Sequence, residues 1–222
     1  MKEESGYLGE KVKAIEVSPE KPISRLLEEM AQTGFQGRNL GRVVDVLCKM
    51  VEAENLTIFF GYAGSLSTTG QWKVINWLIE NKYIDVLIPT GANISEDIVE
   101  AMGFSYWQGT PNEDDSKLFS EGINRYYDVY GTEPDYLEMT ELLAEFIMTL
   151  DKSRSYSSRE FLKRCGQWLD KKNINCIVAT AARNEVPVFC PAIADSPYGD
   201  AALIAESKGH HLTIDATQDY VE

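Results

Sequence analysis

Histidine is nearly absent: the 222 residues hold two, His210 and His211. They are adjacent, so on a strand they point to opposite faces, and no metal site is expected from them. Cysteine is scarce. Cys48, Cys165, Cys176 and Cys190 are scattered without a C-x-x-C pair, which argues against a zinc site or a disulfide framework. Reduced, buried thiols are the expectation for all four. Basic charge is short as well, with 21 Lys and Arg against 35 Asp and Glu, a net charge of −14 and a pI near 4.6. A basic nucleic-acid face is excluded by that balance, whereas a cationic partner would be attracted. No apolar run is long enough to span a bilayer. The opening "MKEESGYLGEKVKAIEVSPEK" lacks an apolar signal core, so a cytoplasmic location and no membrane partner are expected. Neither G-x-G-x-x-G nor a Walker lysine occurs.

What is present is alternation. Residues 1–21 read as a polar amino-terminal arm. "ISRLLEEMAQTG" then reads as a short helix, and "GRVVDVLCKMVEAEN" carries Val43, Val44, Leu47, Met50 and Val51 at helical spacing. "LTIFF", residues 56–60, is a compact apolar run suited to a buried strand. The small-residue loop "GYAGSLSTTG" follows, and then the helical "QWKVINWLIENK". "IDVLIPT" is a second strand, and "GANISEDIVEAMG" a second small-residue loop running into a helix. Strand–loop–helix twice in succession predicts a parallel sheet covered by helices. Ligands in such sheets sit at the carboxyl ends of strands, where both loops fall.

Residues 104–134 read as irregular, with "GINRYYDVYG" as one short strand. "PDYLEMTELLAEFIMTLDK" and "SSREFLKRCGQWLDKK" are helices, the second opened by Ser157 and Glu160 at capping-box spacing. Alanines favour a helix over "INCIVATAARNE". A strand "VPVFCPAI", a turn bracketed by Asp195 and Asp200, a helix "DAALIAESKG" and a strand "HLTID" complete the order. The reading is an α/β protein with a Rossmann-like, doubly wound parallel sheet, incomplete in this chain, in one domain over residues 22–222. A parallel edge left open needs covering, so further strands from another chain are expected.

Three strand ends carry hydroxyls and carboxylates. "GYAGSLSTTG" allows close backbone approach to a phosphate. Glu96 and Asp97 fall in a first helical turn, where carboxylates favour the dipole; Glu96 can instead face a ribose or an amine. Asp195 and Asp200 either organise a turn and cap a helix or receive a cation or a ribose. Together the three ends suit a ligand with a nucleotide part and a cationic part.

"KPISRLLEEMAQTGFQGRNLGRVVDVL", "IFFGYAGSLSTTG", "IDVLIPTGANISED", "GINRYYDV" and "VPVFCPAIADSPYGD" resemble the deoxyhypusine synthase family, in order and spacing, across residues 22–215. The resemblance implies NAD as cofactor and transfer of the aminobutyl group of spermidine to a lysine of the translation factor 5A precursor. It implies an NAD lining from Gly64, Ser65, Leu66, Ser67 and Thr68, from Thr90, Gly91 and Ala92, and from Glu96 and Asp195. It implies polyamine contacts at Ser95, Glu96 and Asp200, and assembly into an oligomer.

Departures bear on that expectation. Ser95 stands where the family has a carboxylate, Ser65 where many members have Asn, and Ser-Pro-Tyr where better-known members have Gly-Ser-Leu. The family's Ser-Trp-Gly-Lys segment, with the catalytic lysine, does not occur in these residues, so no catalytic residue is assigned. The leading expectation is one part of a split or multi-subunit enzyme, completed by a carboxyl-terminal polypeptide. A homospermidine synthase-like enzyme, a non-catalytic paralogue binding NAD or polyamine, and a fragment of a longer chain are the alternatives.

Overall fold

The computed structural model describes residues 8–222. They fall into two compact units, divided between Leu56 and Thr57. In the smaller unit, helices α1 (Ile23–Met30) and α2 (Phe35–Glu52) form a hairpin. Its turn is fixed by Thr33, whose Oγ1 donates to the Met30 carbonyl at 2.7 Å and whose carbonyl accepts from Arg38 Nε at 2.6 Å. Of the calls on the opening arm, residues 1–7 lie outside the described residues. Cys48, on α2, is exposed, contrary to the expectation of four buried thiols. Gly41 is the one buried residue of α2, and Val46, Leu47 and Val51 around Cys48 are exposed as well, so the hairpin leaves this part of the helix uncovered.

The larger unit is α/β. Strands β1 (Phe59–Tyr62) and β2 (Val86–Pro89) pair in parallel, from Phe59 with Val86 to Tyr62 with Pro89. Helix α3 (Trp72–Glu80) makes the crossover and buries Trp72, Ile75 and Ile79 at one helical face. The expected third strand is reduced to a single parallel bridge. Leu87 N–H donates to the Pro187 carbonyl at 3.0 Å and Phe189 N–H to the Leu87 carbonyl at 2.9 Å. Prolines at 187 and 191 remove ladder donors on either side. The first strand begins at Phe59 rather than Leu56, because the Ile58 N–H is taken by the Asp85 carboxylate at 2.7 Å.

Beyond β2 a 3₁₀ turn (Gly91–Ile94) leads into α4 (Glu96–Ala101). Residues 104–134 are not irregular. Strands β3 (Trp107–Gln108), β4 (Ile123–Tyr126) and β5 (Val129–Thr132) form an antiparallel sheet in the order β3-β5-β4, with α5 (Asp115–Ser120) between its first two strands. "GINRYYDVYG" is therefore a hairpin, with Tyr127 at its bend at φ 62°.

Helix α6 (Glu133–Met148) starts behind Thr132, whose hydroxyl accepts from Asp135 N–H. Strand β6 (Ser155–Tyr156) precedes α7 (Ser158–Lys171), and Ser157 Oγ accepts from Glu160 N–H at 2.9 Å. Only this half of the capping box forms, since the Glu160 carboxylate is bound by Arg154 and Arg164. Helix α8 (Ile177–Arg183) is buried over Ile177–Ala181, which is why it carries no polar face. Helix α9 (Pro197–Ser207) and strand β7 (Thr213–Ile214), parallel to β6, follow, and a 3₁₀ turn covers Gln218–Tyr220. Phe146, Phe161 and Tyr198 tie α6, α7 and α9 together through edge-to-face rings 5.4 and 5.7 Å apart. Cys165, Cys176 and Cys190 lie in this core and burial raises their thiol pKa values. Among the described residues no helix is long and apolar enough to cross a membrane, and no His/Cys/Asp/Glu group could hold a metal.

Candidate functional site

Three loops leave the parallel strands at their carboxyl ends: residues 63–71 after β1, 90–95 after β2, and 191–196 after the 188 bridge. A parallel sheet collects such loops at one edge by construction. What joins them is Asn93, which has no exposed surface. Its Nδ2 donates to the Gly64 carbonyl at 2.5 Å and to Thr90 Oγ1 at 2.8 Å, and its Oδ1 accepts from Leu66 N–H at 3.0 Å. Its own carbonyl accepts from Ser67 Oγ at 2.7 Å. One buried amide thus satisfies groups on two loops that the sequence keeps 27 residues apart.

The third loop docks on the second by close approach. A Cβ on Gly91 would lie 2.4 Å from Ser196 Oγ and 2.6 Å from Ser196 Cβ. Ser196 is fixed there because its Oγ donates to the Ile193 carbonyl at 2.6 Å and accepts from Tyr198 N–H at the start of α9. Ser196, not Asp200, is the cap of this helix. The serine hydroxyl reaches the first free N–H groups, whereas Asp200 already stands inside the first turn. Tyr198 completes the junction, its hydroxyl donating to the Ile94 carbonyl at 2.7 Å.

Glu96 and Asp97 stand in the first turn of α4, where the helix dipole favours them. They then diverge. Asp97 is fully buried and accepts from the Ile177 N–H at 2.6 Å, so it serves as the N-terminal cap of α8 from a different helix. Burial pushes its pKa up to about 7 against that hydrogen bond. Glu96 accepts from Ser65 Oγ at 3.1 Å, and burial likewise raises its pKa to about 7, opposed by the serine. A tyrosine cluster surrounds it. Tyr106 Oη donates to the Glu96 carbonyl at 3.0 Å, and the Tyr106 and Tyr126 rings meet edge to face at 5.9 Å. Tyr136 donates to Asp200 Oδ2 at 3.1 Å. Burial, then Asp200, then more weakly Tyr126 and Glu96, raise the Tyr136 pKa. Of the two carboxylates, Asp200 bonds Tyr136 directly, whereas Glu96 adds only the smallest part of that shift.

The residues singled out from sequence divide accordingly. Ser65, Ser67 and Thr68 spend their hydroxyls inside the loops, on Glu96, the Asn93 carbonyl and each other. Ser95 is buried and donates to the Gly91 carbonyl at 2.9 Å, so its side chain closes its own turn. Gly64 takes φ +90°, and no atom lies within 4 Å of the Cβ it lacks. Leu66 and Ala92 are half-buried, Gly91 is buried, and Thr90, Asp195 and Asp200 are exposed. Asn93 and Tyr136 were not singled out, and Asp97 was read only as a carboxylate favoured by the helix dipole. The signal for Asn93 was an amide within "TGANI", a segment otherwise of small and apolar residues.

The family model described as "DS: Deoxyhypusine synthase" matches residues 25–222. The chain belongs to the deoxyhypusine synthase family. It is 45% identical over 193 residues to "Probable deoxyhypusine synthase 2" of Archaeoglobus fulgidus, covering 87% of this chain and 63% of that relative. The protein of the same name in Methanosarcina acetivorans is 35% identical over 202 residues, with 90% and 58% covered. A "Deoxyhypusine synthase-like protein" of Chlorobaculum tepidum is 34% identical, with 99% and 64% covered. The chain thus spans about three-fifths of the length of these deoxyhypusine synthase relatives. In fold it is similar to a crystal structure of an Entamoeba histolytica protein assigned as a deoxyhypusine synthase. The TM-score is 0.67 at 20% identity, over 94% of this chain and 72% of that one.

Proposed function

We propose that this chain forms the NAD- and polyamine-holding part of an aminobutyl transferase, with spermidine as donor and a lysine of the translation factor 5A precursor as acceptor. The observation that carries the reading is the junction of three strand-end loops through Asn93 and the Gly91–Ser196 contact. It sets a buried carboxylate, Glu96, behind the second loop and an exposed one, Asp200, held by Tyr136, behind the third. In this reading the sheet is Rossmann-like, residues 22–222 form the family domain after an arm over 1–21, and the protein works in the cytoplasm as part of an oligomer.

The residues present fit NAD. Gly64 leaves its backbone open to a ligand, and Thr90 and Asp195 are exposed at neighbouring strand ends. Gly64–Thr68, Thr90–Ala92, Glu96 and Asp195 would hold it, the inward hydroxyls fixing the loops and the backbone and Asp195 making the contacts. Bound there, NAD supplies the acceptor and later the donor of a hydride.

The chain's own groups have separable tasks. Glu96, ionised, receives an ammonium or amine of spermidine; its raised pKa means that binding a cation near pH 7 expels a proton. Asp200, steadied by Tyr136, receives a second nitrogen. Tyr106 and Tyr126 shield the Glu96 region from water, which strengthens the ion pairing. Ser95, turned into its own turn, leaves Glu96 as the one carboxylate at that position, an arrangement that also suits homospermidine formation with putrescine as acceptor. The lysine that traps the aminobutyl group comes from polypeptide outside these residues.

Calorimetric titration of the complete assembly with spermidine in the presence of NAD tests the reading. Glu96→Gln and Asp200→Asn are each expected to weaken spermidine at least tenfold while Asp200→Asn keeps NAD affinity. Unchanged spermidine binding in both variants would refute it. Supplying the precursor protein or putrescine then identifies the acceptor.

A further inference from the structure

A parallel sheet is stable in water only when both of its faces are covered, because its strands are apolar on both sides. In the larger unit one face is covered: Leu87 and Val188 are buried against the helical core. Side chains alternate across a strand, so Phe59, Val86, Ile88 and Phe189 point the other way. They line an apolar groove of about 690 Å³. Phe59 is 63% exposed within it. The groove ends at Tyr220, which is 94% exposed, and at the Arg159–Glu222 ion pair of 2.9 Å. Its far wall is held firmly. Asp219 accepts from Ser158 Oγ at 2.6 Å and from Arg159 N–H at 3.2 Å, pinning the Gln218–Tyr220 turn to the start of α7. The groove is thus a preformed surface with a rigid rim.

We infer that this sheet face is the docking surface for the polypeptide that the family relatives carry outside the part matched here, seated through an apolar-faced helix. One observation and one general rule select that occupant. The relatives have roughly two-fifths of their length unmatched by this chain, which is ample for a covering layer. Helices, rather than strands, cover the faces of parallel sheets, and an amphipathic helix presents a stripe of apolar side chains matching a groove of this kind. The inference rests on the two-part reading above and gives it a location. The surface is on the sheet face and meets the strand-end loops only at Pro191, so docking and ligand binding are separable properties.

Co-expression tests it. The 222-residue chain is produced with the part of the Archaeoglobus fulgidus relative that it does not match, and association is measured by co-purification and sedimentation, without NAD or spermidine. A stable one-to-one complex is expected. Phe59→Asp and Ile88→Asp should weaken it at least tenfold, with circular dichroism unchanged. Leu203→Asp, at an exposed position of α9 outside the groove, should leave it intact. No complex, or a complex indifferent to both groove variants, overturns the inference. So does self-association of the chain that the groove variants abolish, which would make a second copy the occupant. A groove-dependent complex that transfers no aminobutyl group would instead count against the proposed function and leave the docking surface standing.

Discussion

Replacing Asn93 by Ala should loosen two loops at once. The side chain makes three hydrogen bonds, to the Gly64 carbonyl, to Thr90 Oγ1 and from Leu66 N–H, at 2.5–3.0 Å. A buried hydrogen bond contributes about 1 kcal/mol net, and a partner left unsatisfied costs more. Asn93→Ala is therefore expected to lose about 3 kcal/mol. Asn93→Asp keeps the acceptor for Leu66 N–H, and the Thr90 hydroxyl can turn to donate to it, but it sets an acceptor against the Gly64 carbonyl and buries a carboxylate, so it should also destabilise the loops. The loss is local in origin. Hydrogen exchange at the Leu66 amide reads it directly, because that N–H has no partner but Asn93 among the described residues. A loss of 3 kcal/mol corresponds to roughly a hundredfold faster exchange. Urea unfolding should show the same loss with an unchanged denaturant slope. Leu66 exchange within threefold of the parent in Asn93→Ala would refute the idea that this amide joins the loops.

Two further outcomes follow from burial. The Glu96 pKa is raised from 4.5 to about 7, so the folded state holds a proton that the unfolded chain releases. That contribution is fully present below pH 4.5 and is lost as pH rises to about 7. Glu96→Gln should therefore gain stability relative to the parent between pH 4.5 and 7, by up to about 3 kcal/mol, and no more above it. Unfolding curves at several pH values check this; a gap independent of pH contradicts the assigned cause. A thiol reagent should label Cys48 quickly in the native protein and Cys165, Cys176 and Cys190 only in denaturant. Rapid native labelling of more than one thiol would contradict the packing of the α6–α9 core.

Much of the fold was legible in local pattern. The apolar spacing of α3, α6 and α7 marks which face each helix buries, and Ala179, Ala181 and Ala182 identify α8 as a helix despite its β-branched neighbours. Residues 104–134 were not legible, because β3, β4 and β5 are two to four residues long and are held by pairing across the hairpin and with a distant strand. Pattern needs length to declare itself. The third parallel strand was overestimated because its apolar run conceals two prolines that cannot donate to a ladder.

The sequence by itself determined the α/β alternation, the three strand-end loops and the family resemblance, since each rests on residues near one another in the chain. Tertiary structure alone decided what those loops do to each other. It showed that Asn93 joins the first two and that Gly91 admits Ser196 from the third. It also showed that Asp97 caps a helix 80 residues away while Glu96 faces Ser65 and the tyrosines. Adjacent carboxylates of the same helical turn have identical sequence signals. Only the packing around them decides that Asp97 caps α8 while Glu96 takes the Ser65 hydroxyl, because helical rotation sends them in different directions and burial acts on each separately.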